Sequence, residues 1–419
     1  TRTVLADGGQ PQASLFGRQE KAPLAAAALI NATAGHAFEL DDIHRDAILH
    51  PNSIAVPIAL NMAEGAALKG QPASGQQVIT AMIAGYEVGN RIGMAAGTDL
   101  LLRGFHPQGT GGAIVAAVTA GRMMNLTADQ MLQAIGIAGS LGAGLMAAQE
   151  GAMVKRLHSG RAAEAGVRAA SLAAMGFTGI ENLVEADYGG FLSSLSGKVD
   201  LSDICTGLGE RWESAATGIK PHATVTSIHS CLDALLTIMT EQNLTAEDIE
   251  SIEAGVSRAT YVHCAWHYSG QSITAAQMNL YYGLAMIALE GRAFADQFRP
   301  EKIKSPAVMN FIRRITATID PGIEGRGPAF RHMAQLTVTT RDGRRFSREE
   351  IHRRGSPENP VSTADIREKF REITTGLLTD AGINGTIVNM DRLDQATDVA
   401  ELVADITAAL RQPETASGN

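Results

Sequence analysis

The chain has 419 residues, more than a single hydrophobic core usually serves, so two domains are expected. Hydrophobic residues make up 45% of it and aromatics only 5%, with 44 glycines, a composition that favours closely packed helices over an aromatic-rich β sandwich. A formal net charge of -9 argues against nucleic acid as a partner, because phosphate binding demands concentrated positive charge; any anion must be held by local Lys, Arg and His groups.

In chain order, the opening TRTVLADGGQPQ lacks the basic-then-apolar profile of a signal peptide. Cys205, Cys231 and Cys264 are odd in number and have no C-x-x-C spacing, which fits reduced thiols in a cytoplasmic protein better than a disulfide framework or a zinc site. Apolar periodicity predicts helices over 24–37, 54–67, 76–94, 112–124, 128–149 and 160–175. Thr127 with Gln130 forms a capping box for the fifth, and Gly176 is placed to stop the sixth. Residues 131–148 are uncharged, but their Gly, Ser and Gln content makes a poor lipid-facing helix. A buried central helix is expected there, with Ala138, Gly142 and Gly144 allowing close backbone approach, and no membrane partner.

Past about Gly218 the pattern changes. A helix over 225–240 is followed by a Thr245–Asp248 turn, a strand over 249–256, a helix over 272–289, and strands over 312–319, 336–340 and 344–347, the last two joined by an Asp342-Gly343 type I′ turn. Helical spacing returns with Ile366, Phe370, Ile373 and Leu377, capped by Ser362 and Asp365, and again with Val399, Val403, Ile406 and Leu410. The expected fold is therefore mostly α. A helical part (1–217) is interrupted by a smaller α+β unit (218–357), and 358–419 resumes the helices after a linker over 355–360.

Three polar, glycine-punctuated junctions run into apolar helices and point to one composite pocket. In G-H-A-F-E-L-D-D-I-H-R-D-A-I-L-H-P, Glu39, Asp41, Asp42, His44, Asp46 and His50 crowd together. Glu39 and Asp42 would share a face if the preceding helix continued, and the helix opening at Ser53 would offer free N–H groups to an anion. These acids and histidines have metal-ligand chemistry but match no tight motif such as H-E-x-x-H, and no metal is expected. In G-F-H-P-Q-G-T-G-G, His106 precedes Gly109, Thr110, Gly111 and Gly112, which could form a backbone nest for an anion; the G-K-[ST] of a P-loop is absent. Lys155, Arg156, His158 and Arg161 form the dense cationic group of the helical half, either a surface loop or, as its position favours, a pocket wall. A lysine buried there would titrate nearer neutrality and suit proton transfer.

Taken in order, G-H-A-F-E-L-D-D with H-P-N-S-I-A-V-P, G-Y-E-V-G-N-R-I-G, G-F-H-P-Q-G-T-G-G, K-R-L-H-S-G-R-A-A-E-A-G and I-K-P-H with His229 resemble the MmgE/PrpD family of dehydratases, decarboxylases and epimerases of small carboxylic acids. The resemblance implies a large all-α domain built from both chain ends, an α+β lid, and a homodimer; family members carry a further helical segment before the point where this chain begins. It implies site roles for Glu39, Asp41 or Asp42, His50, His106, Lys155, His158, Lys220 and Tyr282; Asp41, Gly109, Thr110, Arg161 and His229 are the candidates for contact with the substrate. Lys155, Lys220 and His106 would bind and stabilise charge, His50 or His158 would act as acid or base, and Glu39 or Asp42 would orient a histidine. Val225 stands where the decarboxylase branch has a lid histidine. The expected function is a lyase that needs no cofactor, most simply a dehydratase moving a proton beside a carboxylate of a small di- or tricarboxylate. An epimerase or decarboxylase using the same pocket is the alternative, and a non-catalytic carboxylate-binding protein the second.

Overall fold

The computed structural model describes residues 1–411; the last eight positions of the expected C-terminal part lie outside the described residues. The chain is mostly helical, 54% helix against 10% strand, so sheets play a minor part in organising it. Two large apolar cores form. One gathers Ala28, Ile54, Ile58, Ala113, Ala116, Ala163 and Ala170 from the first half, and the other gathers Leu232, Leu235, Ile252, Tyr282, Leu336 and Val338 from the second.

In the first core, small residues set the helix spacing. A methyl group on Gly166 would lie 2.2 Å from Ala116 Cβ, so helices Gly112–Met123 and Val154–Ala174 touch backbone to backbone. Capping boxes start the helices at Ser74 with Gln77, at Thr127 with Gln130 and at Ser362 with Asp365. The C-terminal helix Val399–Ala408 returns to this half, where buried Val399 packs with Ala59, Ala63 and Val78.

The second core sits under a four-stranded sheet of order Ile315–Ile319, Ile249–Val256, Ala334–Thr340, Arg345–Glu350; the first pair is parallel and the others antiparallel. Its final hairpin turns through Gly343 at φ +86°, while Asp342 is not left-handed, so the connection differs from the type I′ turn expected. The expected strand over 312–319 begins only at Ile315, because Pro306–Ile312 is a helix started by Ser305 and proline.

Four further departures shape the site. The helix expected over 128–149 ends at Leu141; Gly142 is extended (φ -71°, ψ 127°), and Leu141 and Leu145 are exposed, so this is a surface-edge helix rather than a central one. The helix expected from 160 starts at Val154 and so carries the whole K-x-x-H segment. The first helix stops at Gly35, leaving the acidic stretch non-helical, with Glu39 itself at φ +54°. The helix expected over 272–289 breaks at Asn279, whose side chain accepts from the N–H groups of Tyr281 and Tyr282 to restart it.

Candidate active site

Glu39 is the anchor. Only 1% exposed, it accepts from Lys155 Nζ at 2.6 Å, from Lys220 Nζ at 2.9 Å and from Arg156. Burial works to raise its pKa, yet Lys155, Lys220 and Arg156 hold it well below the usual carboxylate range. Left-handed backbone at a non-glycine residue is uncommon, and here it aims the carboxylate back into the cations that bind it. Lys220, fully buried, also lies 3.5 Å from Asp41 Oδ1. Arg156 reaches onward to Gln277 Oε1 at 2.7 Å, while Gln277 Nε2 donates to the Phe38 carbonyl at 2.9 Å. The two halves of the chain are thus stitched together through one carboxylate and one amide.

Beside this cluster runs a row of imidazoles. Ring centroids are 5.1 Å apart for His50 and His36, 5.7 Å for His36 and His106, and 5.1 Å for His106 and His158. Asp41 sits 2.6 Å from His36 Nδ1 and 3.7 Å from His50 Nδ1, and the Nδ1 atoms of His106 and His158 are 2.9 Å apart, so one of them carries the shared proton. Burial lowers the pKa of all four rings, that of His50 to about 3. Burial opposes the ionisation of Asp41, but His50, His36 and Lys220 reverse this and keep it a carboxylate. Burial also brings Lys155 down to about 8, against the pull of Glu39.

A cavity of about 260 Å³ opens against these groups, at the small end of the roughly 300–1,000 Å³ usual for ligand pockets. Glu39, His50, His106 and Lys155 line it from the helical half; Val225, Thr226, Ser227, His263, Arg331 and His332 line it from the α+β unit. Lys155, Arg156 and Lys220 outnumber the carboxylates of Glu39 and Asp41, and with the imidazoles beside them they can hold an anion and exchange one proton with it.

Of the residues singled out in the sequence, Glu39, Asp41, His50, His106, Lys155, His158 and Lys220 converge. Asp42 stands one layer back: it accepts from the Tyr86 hydroxyl at 2.7 Å and from Asn52 N–H at 3.1 Å, and burial pushes it up to about 7. That contact occupies the first amide of helix Asn52–Ala67, one of the donors expected to await an anion. The glycine nest does not form. Gly109 and Thr110 N–H groups donate to the His106 carbonyl at 3.0 and 3.1 Å, and Gly109 abuts Ala143, so close packing explains these glycines. Arg161 is largely exposed and pairs with Glu164, because its helical position faces away from the cavity. His229 is buried in the α+β unit, 3.2 Å from the Thr224 carbonyl. Tyr282 is likewise fully buried there and spends its hydroxyl on the Gln297 carbonyl at 2.5 Å. Neither lines the cavity.

Sequence reasoning missed His36, Gln277, His263, Arg331 and His332. His36, five residues before Asp41, had the same polar setting as its neighbours, but the other four depend on long-range packing that no local spacing signals. Among the described residues, no three His, Cys, Asp or Glu side chains converge as a metal-ligand set. None of the helices there is long and apolar enough to cross a membrane.

The MmgE/PrpD N-terminal domain profile matches residues 1–203 and the C-terminal domain profile residues 222–392. The cis-aconitate decarboxylase-like protein oryM of Aspergillus oryzae is 31% identical over 95% of this chain and 85% of its own length. Cis-aconitate decarboxylase of Aspergillus terreus is 30% identical over 95% and 84%, and that of Homo sapiens 26% over 98% and 83%. Two adjoining profiles and relatives aligned across nearly the whole sequence establish that the chain belongs to the MmgE/PrpD family.

Proposed function

We propose that this protein is a carboxy-lyase acting on a small unsaturated tricarboxylate of the cis-aconitate type. The observation that carries the reading is the cavity itself, where Lys155 and a row of buried imidazoles meet beside Glu39; the activity named for the relatives supplies the substrate class. In such a substrate a carboxymethyl arm adjoins a carbon–carbon double bond. Breaking the bond to the arm's carboxylate releases CO2, its electron pair forms a new terminal double bond, and the former double bond's electrons take a proton at the far carbon. Electrons stay within the substrate, so the scheme needs no redox partner. What it needs is a proton donor at that carbon and cations on the carboxylates that remain.

Lys155 and Lys220 supply the positive charge in this scheme, and Lys155, with a pKa lowered to about 8, is matched to proton delivery near neutrality. His106, relayed through His158, is the alternative donor and return path. The α+β unit acts as a lid whose closure excludes water, and Lys220 and Gln277 belong to it.

A second reading, dehydration of a hydroxy-tricarboxylate, is favoured by one position: Val225 is apolar where the resemblance implies a histidine in decarboxylases. CO2 release from a panel of cis-aconitate, citrate and 2-methylcitrate tests both. CO2 from cis-aconitate is the expected result; water elimination from a hydroxy acid with no CO2 would replace it with the second reading.

A homodimer is part of the proposal. Leu145, Met153, Val154 and Leu157 are 64%, 85%, 46% and 38% exposed, an apolar face that a second copy would cover. Sedimentation should give about twice 44.0 kDa.

A further inference from the structure

The side of the cavity formed by the α+β unit includes Val225, Thr226 and Ser227. These residues form the turn leading into helix His229–Glu241, thirteen residues long, so the positive end of a helix dipole stands at the cavity wall. Val225 N–H donates to the Gln277 carbonyl at 2.9 Å and Ile228 N–H to the Val225 carbonyl at 3.3 Å, but among the described residues the N–H groups of Thr226 and Ser227 meet no backbone acceptor. Thr226 is only 4% exposed and its hydroxyl has no partner; the buried hydroxyls of Thr224 and Ser230 close by have none either. Buried polar groups are rarely left so, and of these three residues Thr226 lines the cavity, so its hydroxyl points to a ligand that completes it.

Charge makes the same case. Lys155, Arg156 and Lys220 are three cations already facing Glu39 and Asp41, two carboxylates, which leaves one positive charge in excess. Arg331, also on the wall, is engaged by the Arg45 and Pro328 carbonyls and lies 3.6 Å from Asp46. A tricarboxylate therefore needs further donors that are neutral. We propose that the Val225–Ile228 turn is a carboxylate subsite, in which the N–H groups of Thr226 and Ser227 and the Thr226 hydroxyl take a substrate carboxylate that Lys155 does not. It rests on the tricarboxylate reading above and adds the place where the second carboxylate is held.

The test is calorimetric binding of tricarballylate, which has neither a double bond nor a hydroxyl and cannot react, to the full chain and three variants. Thr226→Val removes a hydroxyl that makes no bond within the protein, so its thermal midpoint should hold while affinity falls about tenfold, the effect of one hydrogen bond to a charged group. Thr226→Pro also deletes the free N–H. Val225 at φ -57° and ψ 133° already has the backbone a residue before proline requires, so this variant should fold and bind still more weakly. Thr226→Ser should bind within about threefold of the parent chain, since it keeps both donors. Valine and proline variants that bind like the parent would overturn the subsite and leave the function standing. Failure of the parent chain itself to bind would overturn the tricarboxylate reading and this inference with it.

Discussion

In the proposed chemistry, Lys155 is the residue whose charge state matters most. It keeps Glu39 ionised, and burial leaves its own pKa at about 8. The sign follows directly: below about 8 the ammonium is present, and above it the charge on the substrate side is lost. The turnover number should therefore fall as pH rises through about 8. In Lys155→Arg any residual activity should lack that limb, because a guanidinium does not titrate there. Lys155→Ala should abolish turnover yet fold, since Glu39 retains Arg156 and Lys220. A pH profile of kcat for the parent and arginine forms checks this. Part of this residue-level picture was legible in the sequence, because Glu39, His50, Lys155 and His158 were conspicuous as polar groups set beside apolar helices, while Lys220 came from the motif resemblance. The assignments to Arg161 and Tyr282 were not secure for the opposite reason: an exposed helix face and a core phenol look the same, in one dimension, as a cavity wall.

At the scale of elements, the site depends on where helices stop. The chain leaves its helix at Leu141 and runs extended past Gly144, which lies against both members of the histidine pair. A methyl group there would come within 3.1 Å of His158 Nδ1 and 3.2 Å of His106 Cβ. Gly144→Ala should push the two rings off their alignment and lower kcat about ten- to a hundredfold while barely moving the unfolding midpoint, as steady-state kinetics beside urea denaturation will show. Composition and periodicity gave the helices, but they extended this one through its last glycines. Helical spacing makes Gly142 and Gly144 close-packing positions inside a helix, whereas the extended chain sets Gly142 against the Thr110 backbone and Gly144 against the two imidazoles. Gln277 was invisible for a similar reason, since its reach to Arg156 and Phe38 depends on the break at Asn279, inside what reads as one continuous apolar run.

For the whole molecule, the tail of the chain also touches the site. Lys369, on helix Thr363–Thr374, donates to the Leu40 carbonyl at 2.6 Å and the Lys220 carbonyl at 2.9 Å, pinning the neighbours of Glu39 and Lys220 from behind; burial lowers it to about 8. It is a positioning residue. Lys369→Met should cut kcat about tenfold with KM little changed, and Lys369→Arg should restore part of the loss, a pattern that mere destabilisation would not produce. A change in pattern near Gly218 and a return of helical spacing after Ser362 were readable in the sequence. That the returning helix would hold the backbone beside Glu39 was not, because the contact is made to carbonyl oxygens that every sequence has.

The central claim is that the cavity between the two cores moves one proton to carbon while a carboxylate leaves. Proton NMR of cis-aconitate incubated with the full chain in deuterated water tests it in one spectrum. The expected product is a dicarboxylate with an undeuterated terminal methylene and a single deuteron on its saturated carbon, with no such product from Lys155→Ala. A substrate that stays unchanged, or that gains or loses water with all three carboxylates in place, would contradict it.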